Sequence, residues 1–598
     1  MITFSPHTFH IPVMGIAFTI DTPIKVACYG INSAISIIED NLMEAMRKHY
    51  YQQNGEPYVP IEKTEENYRA KRITDYLNLV DRIVRRKMET LRNSTFETGS
   101  EIVKYFEMLP EDSGLKARYY SFLSAKDETR TELENWLRKQ VRPGAIEVNI
   151  MTKVDKDNKD SKGEIIPDGS DALVALKAFA ESDLEGASVI FSAGMNPRLF
   201  NYMESFREFD ATGRGKFKKK VIVKVSDYRS ALIQGKYLAK KGIWVSEFRI
   251  ESGLNCGGHT FATAGLLLGP ILEEFQLKEE ELSAELFSLY DRAVRARGGE
   301  GFEGPHPIGI TVQGGIGDHG EQALLLDHYG VTGTGWGTPF LLCPEATTVD
   351  GHTLELLGKS REGDIVLSKA SPLGVPFNYL KGTTAERERL DRIESDRPGS
   401  PCTEKYLISN TEFTEEPICT ASRKYQKLKL AQLQTSGLPD AELKRQVEDL
   451  QSKECLCIGL SNAASHNYKV PLVKKLDAVT ICPGPNIMNF SKIASLREMG
   501  DHIYGRASLP LNTGRAHMFV KELQLYLDYI REEIRTCAAP GKKEIRAWKV
   551  FCSNLHLGIG HYRTLLDKDL IRQKEAFADG LATAEAKIFK IQERFLAV

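Results

Sequence analysis

The stretch ESGLNCGGHTF, Glu251 to Phe261, directly follows the apolar run GIWVSEFRI. Two consecutive glycines let backbone turn sharply or lie against another group. The histidine beside them, His259, carries an imidazole that titrates near neutral pH and can move a proton. A structural turn histidine is the alternative reading, and the remaining segments decide between them. GGIGDHGEQALL is a glycine turn opening a helix, so free backbone N–H groups and the helix dipole point at one spot, a phosphate-binding arrangement. GTGWGT supplies a second set of approachable N–H groups. Cys256 is a candidate second reactive group or a buried thiol. Lys224, in VIVKVS, either faces the site or pairs with an acid.

A further group of thiols lies toward the C-terminus: Cys402, Cys419, Cys455, Cys457 and Cys482 fall within a short span. Four thiolates suffice for an iron–sulfur cluster or a structural zinc. Their spacing matches neither the C-x₂-C ferredoxin run nor paired zinc knuckles, and buried inert thiols are the alternative. A [4Fe–4S] cluster is preferred over zinc because a redox neighbour gives its electrons a destination. Cys28, Cys343, Cys537 and Cys552 sit in apolar or helical contexts and read as core.

Positioning these residues needs a framework, and the apolar periodicity supplies one. Short extended runs alternate with helical stretches: HIPVMGIAFTI, INSAISIIE, AIEVNIMTK, ASVIFSAGM, KKVIVKVS, IWVSEFRI, PIGITVQGG and VTGTGWG. Eight such strands separated by helices favour parallel pairing with right-handed crossovers. The expected fold class is α/β, a (β/α)8 TIM barrel over 1–50 and 143–385, with a doubly wound open sheet as alternative. A helical insertion is expected over 51–142 and a mainly helical C-terminal domain over 386–598. In such a barrel the loops after the strands form the active face. That rule gathers Gly15 (strand one), Asn149 (three), Gly257, Gly258 and His259 (six), Gln313, Gly314 and Gly315 (seven), and Gly335, Gly337 and Thr338 (eight).

Across 598 residues, 79 basic and 81 acidic side chains leave a net charge of −2, which implies neither nucleic acid nor an anionic membrane as partner. No apolar run is long enough to span a bilayer, and the N-terminus lacks the zones of a signal peptide. Ten cysteines in a chain this long do not suggest a disulfide framework, so a reducing cytoplasm is the expected compartment.

The order of IPVMG, VNI, ESG with CGGH, QGGIG and GTGWGTPFLLCPEA resembles the nitronate monooxygenase (2-nitropropane dioxygenase) family of FMN-dependent barrels, and the similar flavin enoyl reductases. The resemblance covers roughly 8–50 and 143–385; the helical insertion and everything after 385 lie outside it. It implies an FMN phosphate on the backbone of Gly314, Gly315, Gly335, Gly337 and Thr338. It also implies Met14, Gly15 and Asn149 against the isoalloxazine ring and His259 as the active-site histidine; Lys224, Gly258 and Gln313 are further cofactor-binding candidates from their places at or after strand ends. The chain departs from the family pattern by the insertion LNC before Gly257, by Trp336, and by Pro339 where an arginine is usual.

The resemblance implies an oxidoreductase acting on a small activated substrate. Its expected partners are that small molecule and an electron donor, NAD(P)H or a ferredoxin-like protein; self-association is left open. The rivals are a flavin-dependent C=C reductase, and a non-catalytic barrel that binds a phosphorylated ligand or serves a larger complex.

Overall fold

The computed structural model describes residues 5–151, 155–160, 162–192, 194–257, 264–472, 476–510, 514–537 and 540–596. Eight parallel strands close into a barrel in chain order, the last pairing with the first. They are β1 (Phe9–Ile11), β2 (Asn32–Ser36), β3 (Ile146–Ile150), β4 (Ala187–Phe191), β5 (Lys219–Val225), β6 (Glu247–Glu251), β7 (Gly309–Gln313) and β8 (Gly333–Gly335). Strands β3 and β4 are buried at every position, as expected where helices cover the outside and side chains fill the inside. The predicted first strand is longer than the observed one. Pro12 follows Ile11 and has no N–H to continue the ladder.

The interior of the barrel is polar at one level. Arg249, 1% exposed, donates to both carboxylate oxygens of Glu147 at 2.9 and 3.1 Å and to Glu247 at 2.8 Å. Thr311 adds a hydrogen bond to Glu247 at 2.5 Å. One guanidinium therefore faces two carboxylates contributed by β3 and β6.

Between β2 and β3 the chain forms helices Tyr68–Asn93, Glu101–Met108, Gly114–Ser124 and Asp127–Gln140, as the amphipathic spacing predicts. The first is tied to the barrel by charge. Arg69 pairs with Asp171 and, at 3.0 Å, with Asp40; Arg72 also reaches Asp40 at 3.0 Å. After the barrel, strands β9 (Ile365–Ser368) and β10 (Phe377–Leu380) form an antiparallel hairpin, and helices Met518–Thr536, Lys542–Asp567 and Lys574–Leu596 follow. These late helices are not a detached unit: Phe519, Leu523, Leu555 and Tyr562 belong to the same hydrophobic cluster as Ile11, Val148 and Val312. Among the described residues no helix is long and apolar enough to cross a membrane.

Candidate functional site

The C-terminal ends of the strands open into a cavity of about 180 Å³. Gly15, Ser36, Asn149, Lys224, Glu251 and Gly257 line its floor, at or beyond the ends of five different barrel strands. The β9–β10 connection, with Leu373, Val375 and Pro376, roofs it, and Tyr406, Leu456, Cys457 and Leu460 form a wall. Asp171, held by Arg69 of the helical insertion, also borders it, so the insertion braces the cavity.

Glu251 organises the floor. Its Oε1 accepts from Lys224 Nζ at 3.1 Å, Asn255 Nδ2 at 2.8 Å and Gln313 Nε2 at 2.8 Å. Lys224 therefore lines the cavity and pairs with an acid at once. Sequence reasoning did not single out Glu251, although it begins the quoted ESGLNCGG stretch. Its position at the last residue of β6 was the available signal. Glu251→Gln brings an NH₂ group among three donors and removes the counter-charge of Lys224. The expected loss is about 1.5–3 kcal/mol for a hydrogen-bonded charge. It is measured as a lower midpoint in urea unfolding; an unchanged midpoint contradicts it.

Asn149, in the cavity floor, carries a buried Oδ1 that has no hydrogen-bond partner among the described residues. Buried polar atoms normally have partners, so this one marks where a ligand's donor group fits. Gly257 has a φ of +79°, and a Cβ there would lie 3.1 Å from the Met14 carbonyl carbon. The glycine thus seats the loop after β6 directly on the backbone that ends β1. Met14 is fully buried beneath this contact. Gly258 and His259 lie outside the described residues.

The two glycine turns stand side by side, as expected, but they are covered. Leu254 packs on Gly315, where a Cβ would meet its side chain at 2.5 Å, and a Cβ on Gly314 would meet the Asn255 N at 2.8 Å. Thr338 donates to the Pro483 carbonyl at 2.7 Å, and Gly257 N–H donates to Cys482 O at 2.9 Å. Gly335 is spent in the β8 ladder, and a Cβ on Gly337 would strike Cys256 Sγ. The expectation that Gly314, Gly315, Gly335, Gly337 and Thr338 present an open phosphate cradle is therefore corrected. The segment Cys482–Asn486, which the resemblance did not cover, fills the mouth. Of the residues that the resemblance sets at the ring end, Gly15 and Asn149 line the cavity, with Lys224 beside them; the turns that it sets at the headgroup are covered.

A buried carboxylate outside the cavity fixes the loop after β6. Glu522, on helix Met518–Thr536, accepts from Ser252 Oγ and Leu268 N–H, both at 2.9 Å, and from the Gly253 N–H. Ser252 and Leu268 bracket the segment that contains His259.

Among the C-terminal thiols, Cys402 is hydrogen-bonded to Cys419 and Cys455 to Cys457, with no disulfide between them. Among the described residues, no group of three or more His, Cys, Asp or Glu is placed to hold a metal ion. The hydrogen bond from Cys457 holds the Cys455 thiol down to about 7. Cys482 is a neighbour of Cys256 instead, and burial pushes Cys256 up to about 12, which makes it an inert thiol rather than a reactive one. Burial raises Cys28, Cys343 and Cys552 likewise, in keeping with core positions.

No family model matches the chain, and no curated protein matches it. Among solved structures, it is similar to nitroalkane oxidase from Streptomyces ansochromogenes at 10% identity, covering 84% of this chain and 96% of that one with a TM-score of 0.36. It is similar to the enoyl reductase domain of MlnA from the macrolactin biosynthesis cluster of Bacillus amyloliquefaciens at 15% identity, with coverages of 64% and 86% and a TM-score of 0.32. An IMP dehydrogenase/GMP reductase-like protein from Corynebacterium glutamicum shares 12% identity over 56% of this chain and 65% of that one, with a TM-score of 0.21. Likeness at these scores is slight, and the barrel assignment rests on the strand pairing itself.

Proposed function

We propose that the chain is a flavin-dependent oxidoreductase of the nitronate monooxygenase-like class, acting on a small activated organic substrate at the barrel mouth. The observation that carries this reading is the cavity at the strand ends, where Asn149 offers an unpartnered buried Oδ1 beside the Lys224–Glu251 pair. A flavin, when bound, supplies hydride storage, and the protein supplies orientation and charge. In this reading the main chain at Met14 and Gly15, with Asn149 and Lys224, holds the ring. Glu251 fixes the lysine's direction, and the apolar roof of Leu373, Val375 and Pro376 limits water. His259 is the proton-transfer group on the strength of the family resemblance. No step is assigned to the FMN headgroup, because the turns that should hold it are filled by the chain's own residues.

Two anaerobic arms test the class: a nitronate added to the oxidised protein, and an enoyl thioester added to protein reduced beforehand with NAD(P)H. Bleaching of the flavin by the nitronate, reversed on admitting oxygen, is expected. Turnover of the enoyl thioester alone replaces the proposal with the C=C reductase, and inertness in both arms removes it.

The covered turns favour a second reading, a barrel that binds a ligand lacking a phosphate headgroup and transfers no hydride. It predicts a colourless protein that gains no thermal stability from FMN.

A further inference from the structure

The 26-residue helix Lys542–Asp567 has two unlike sides. One is core: Trp548, Phe551, Cys552, Leu555, Ile559 and Tyr562 are buried. The other carries Arg546, Val550, Ser553, Leu557, Gly560 and Thr564, all exposed. At 3.6 residues per turn these six form one stripe along the helix. Leu557 is 70% exposed and Val550 47%, and no neighbouring group lies within 4 Å of where a Cβ on Gly560 would stand. Phe589, 56% exposed, extends the apolar surface from helix Lys574–Leu596, where its ring lies 5.2 Å from that of His556. A single exposed apolar side chain is ordinary, but three in one patch beside a bare glycine mark a contact surface.

The order of residues in the stripe selects the occupant. Its steps alternate between four and three residues, the repeat of a helix–helix seam, and they read the same in both directions. An antiparallel copy of the helix therefore sets Val550 opposite Gly560, Leu557 opposite Ser553 and Arg546 opposite Thr564. Each larger side chain then meets a smaller one, which lets the two helices approach to about 8–10 Å. Charge complementarity points the same way. Neighbouring Arg563 and Lys574 are already paired, with Glu585 and Asp569. Lys542 and Asp567, at opposite ends of the helix and on one edge of the stripe, have no ion-pair partner among the described residues. The antiparallel register brings Lys542 of each copy to Asp567 of the other, and it opposes the two helix dipoles. Parallel pairing would instead stack Lys542 on Lys542 and Leu557 on Leu557.

We propose that the outer face of helix Lys542–Asp567 is a homodimer interface, on which a second copy of this chain packs its own Lys542–Asp567 helix antiparallel. The two-fold axis passes between Ser553 and Leu557, so one surface serves both copies. Leu557 and Val550 supply the buried centre, and the two Lys542–Asp567 pairs close its ends and fix the direction. None of these residues lines the mouth cavity, so the interface stands independently of the flavin reading.

Sedimentation equilibrium of the full chain tests this, and a species of twice the 67.0 kDa chain mass is expected. Leu557→Glu sets a charge in the middle of the seam and is expected to weaken association roughly 10-fold or more. Lys542→Asp is expected to weaken it roughly 5-fold, and Lys542→Asp/Asp567→Lys to restore it. The substituted positions are exposed, so circular dichroism spectra of the variants are expected to match the wild type. A chain that stays monomeric at every concentration overturns the proposal. So does a dimer that Leu557→Glu leaves intact, or a Lys542→Asp loss that the charge swap does not reverse. Should Leu557→Glu fail to fold, the charge swap at the helix ends still decides.

Discussion

Arg249→Met is expected to lower the unfolding free energy by about 3–5 kcal/mol, the cost of stripping a buried charge of its partner. Arg249, Glu147 and Glu247 fill one level of the barrel interior, and Arg249 and Glu147 are almost wholly out of water. Burial pushes the Glu147 carboxyl up, and Arg249 pulls it back toward the ionised form. Methionine keeps the apolar stem of the side chain but leaves two carboxylates facing each other without a cation. The double variant Arg249→Met/Glu147→Gln is expected to recover part of the loss, because the one carboxylate then left without a cation, Glu247, is partly exposed and keeps the Thr311 hydrogen bond. Urea unfolding of the wild type, the single variant and the double variant measures this. A single-variant loss below about 1 kcal/mol contradicts a structural role for the interior pair.

Glu522→Gln is expected to flatten the fall in stability that the wild type shows as pH rises from mildly acidic to mildly alkaline values. Burial pushes the Glu522 carboxyl up to about 7 from its ordinary 4.5, although the Leu268 and Gly253 N–H groups and Ser252 pull the other way. A carboxyl whose folded pKa is raised favours folding in its protonated form. That contribution is complete below pH 4.5 and disappears as pH climbs through 7. The shift corresponds to about 3 kcal/mol. Glu39, also raised to about 7 by burial and by Asp40, acts in the same direction, while His7 and His306, lowered to about 4 by burial, act at the acid end. Only the difference between wild type and Glu522→Gln isolates the loop clamp. Melting temperatures at pH 5, 6, 7 and 8 test it; parallel curves for the two proteins contradict it.

The barrel was legible because strands buried on both faces read as short continuous apolar runs, as in ASVIF and VIVKV. Strand ends were less so: the run IWV before Glu247 is apolar and buried yet lies outside β6. Glu251, Arg249 and Glu147 escaped notice as a set, since a charged residue alternating with apolar ones suggests a solvent face. In a closed barrel the alternate face is an interior that these charges share. The β9–β10 roof and the plug at Cys482–Asn486 depend on contacts between segments far apart in sequence, which periodicity does not record. The thiols illustrate both sides. Their crowding was visible, but only the fold separates Cys482 from the other four.

The most direct measurement of the central claim, that the barrel mouth holds a flavin ring, is mass spectrometry of the small molecules released when the purified chain is denatured. The account predicts a yellow protein that yields about one flavin per chain. A colourless preparation that releases none, and whose melting temperature does not change when FMN or riboflavin is added, contradicts it.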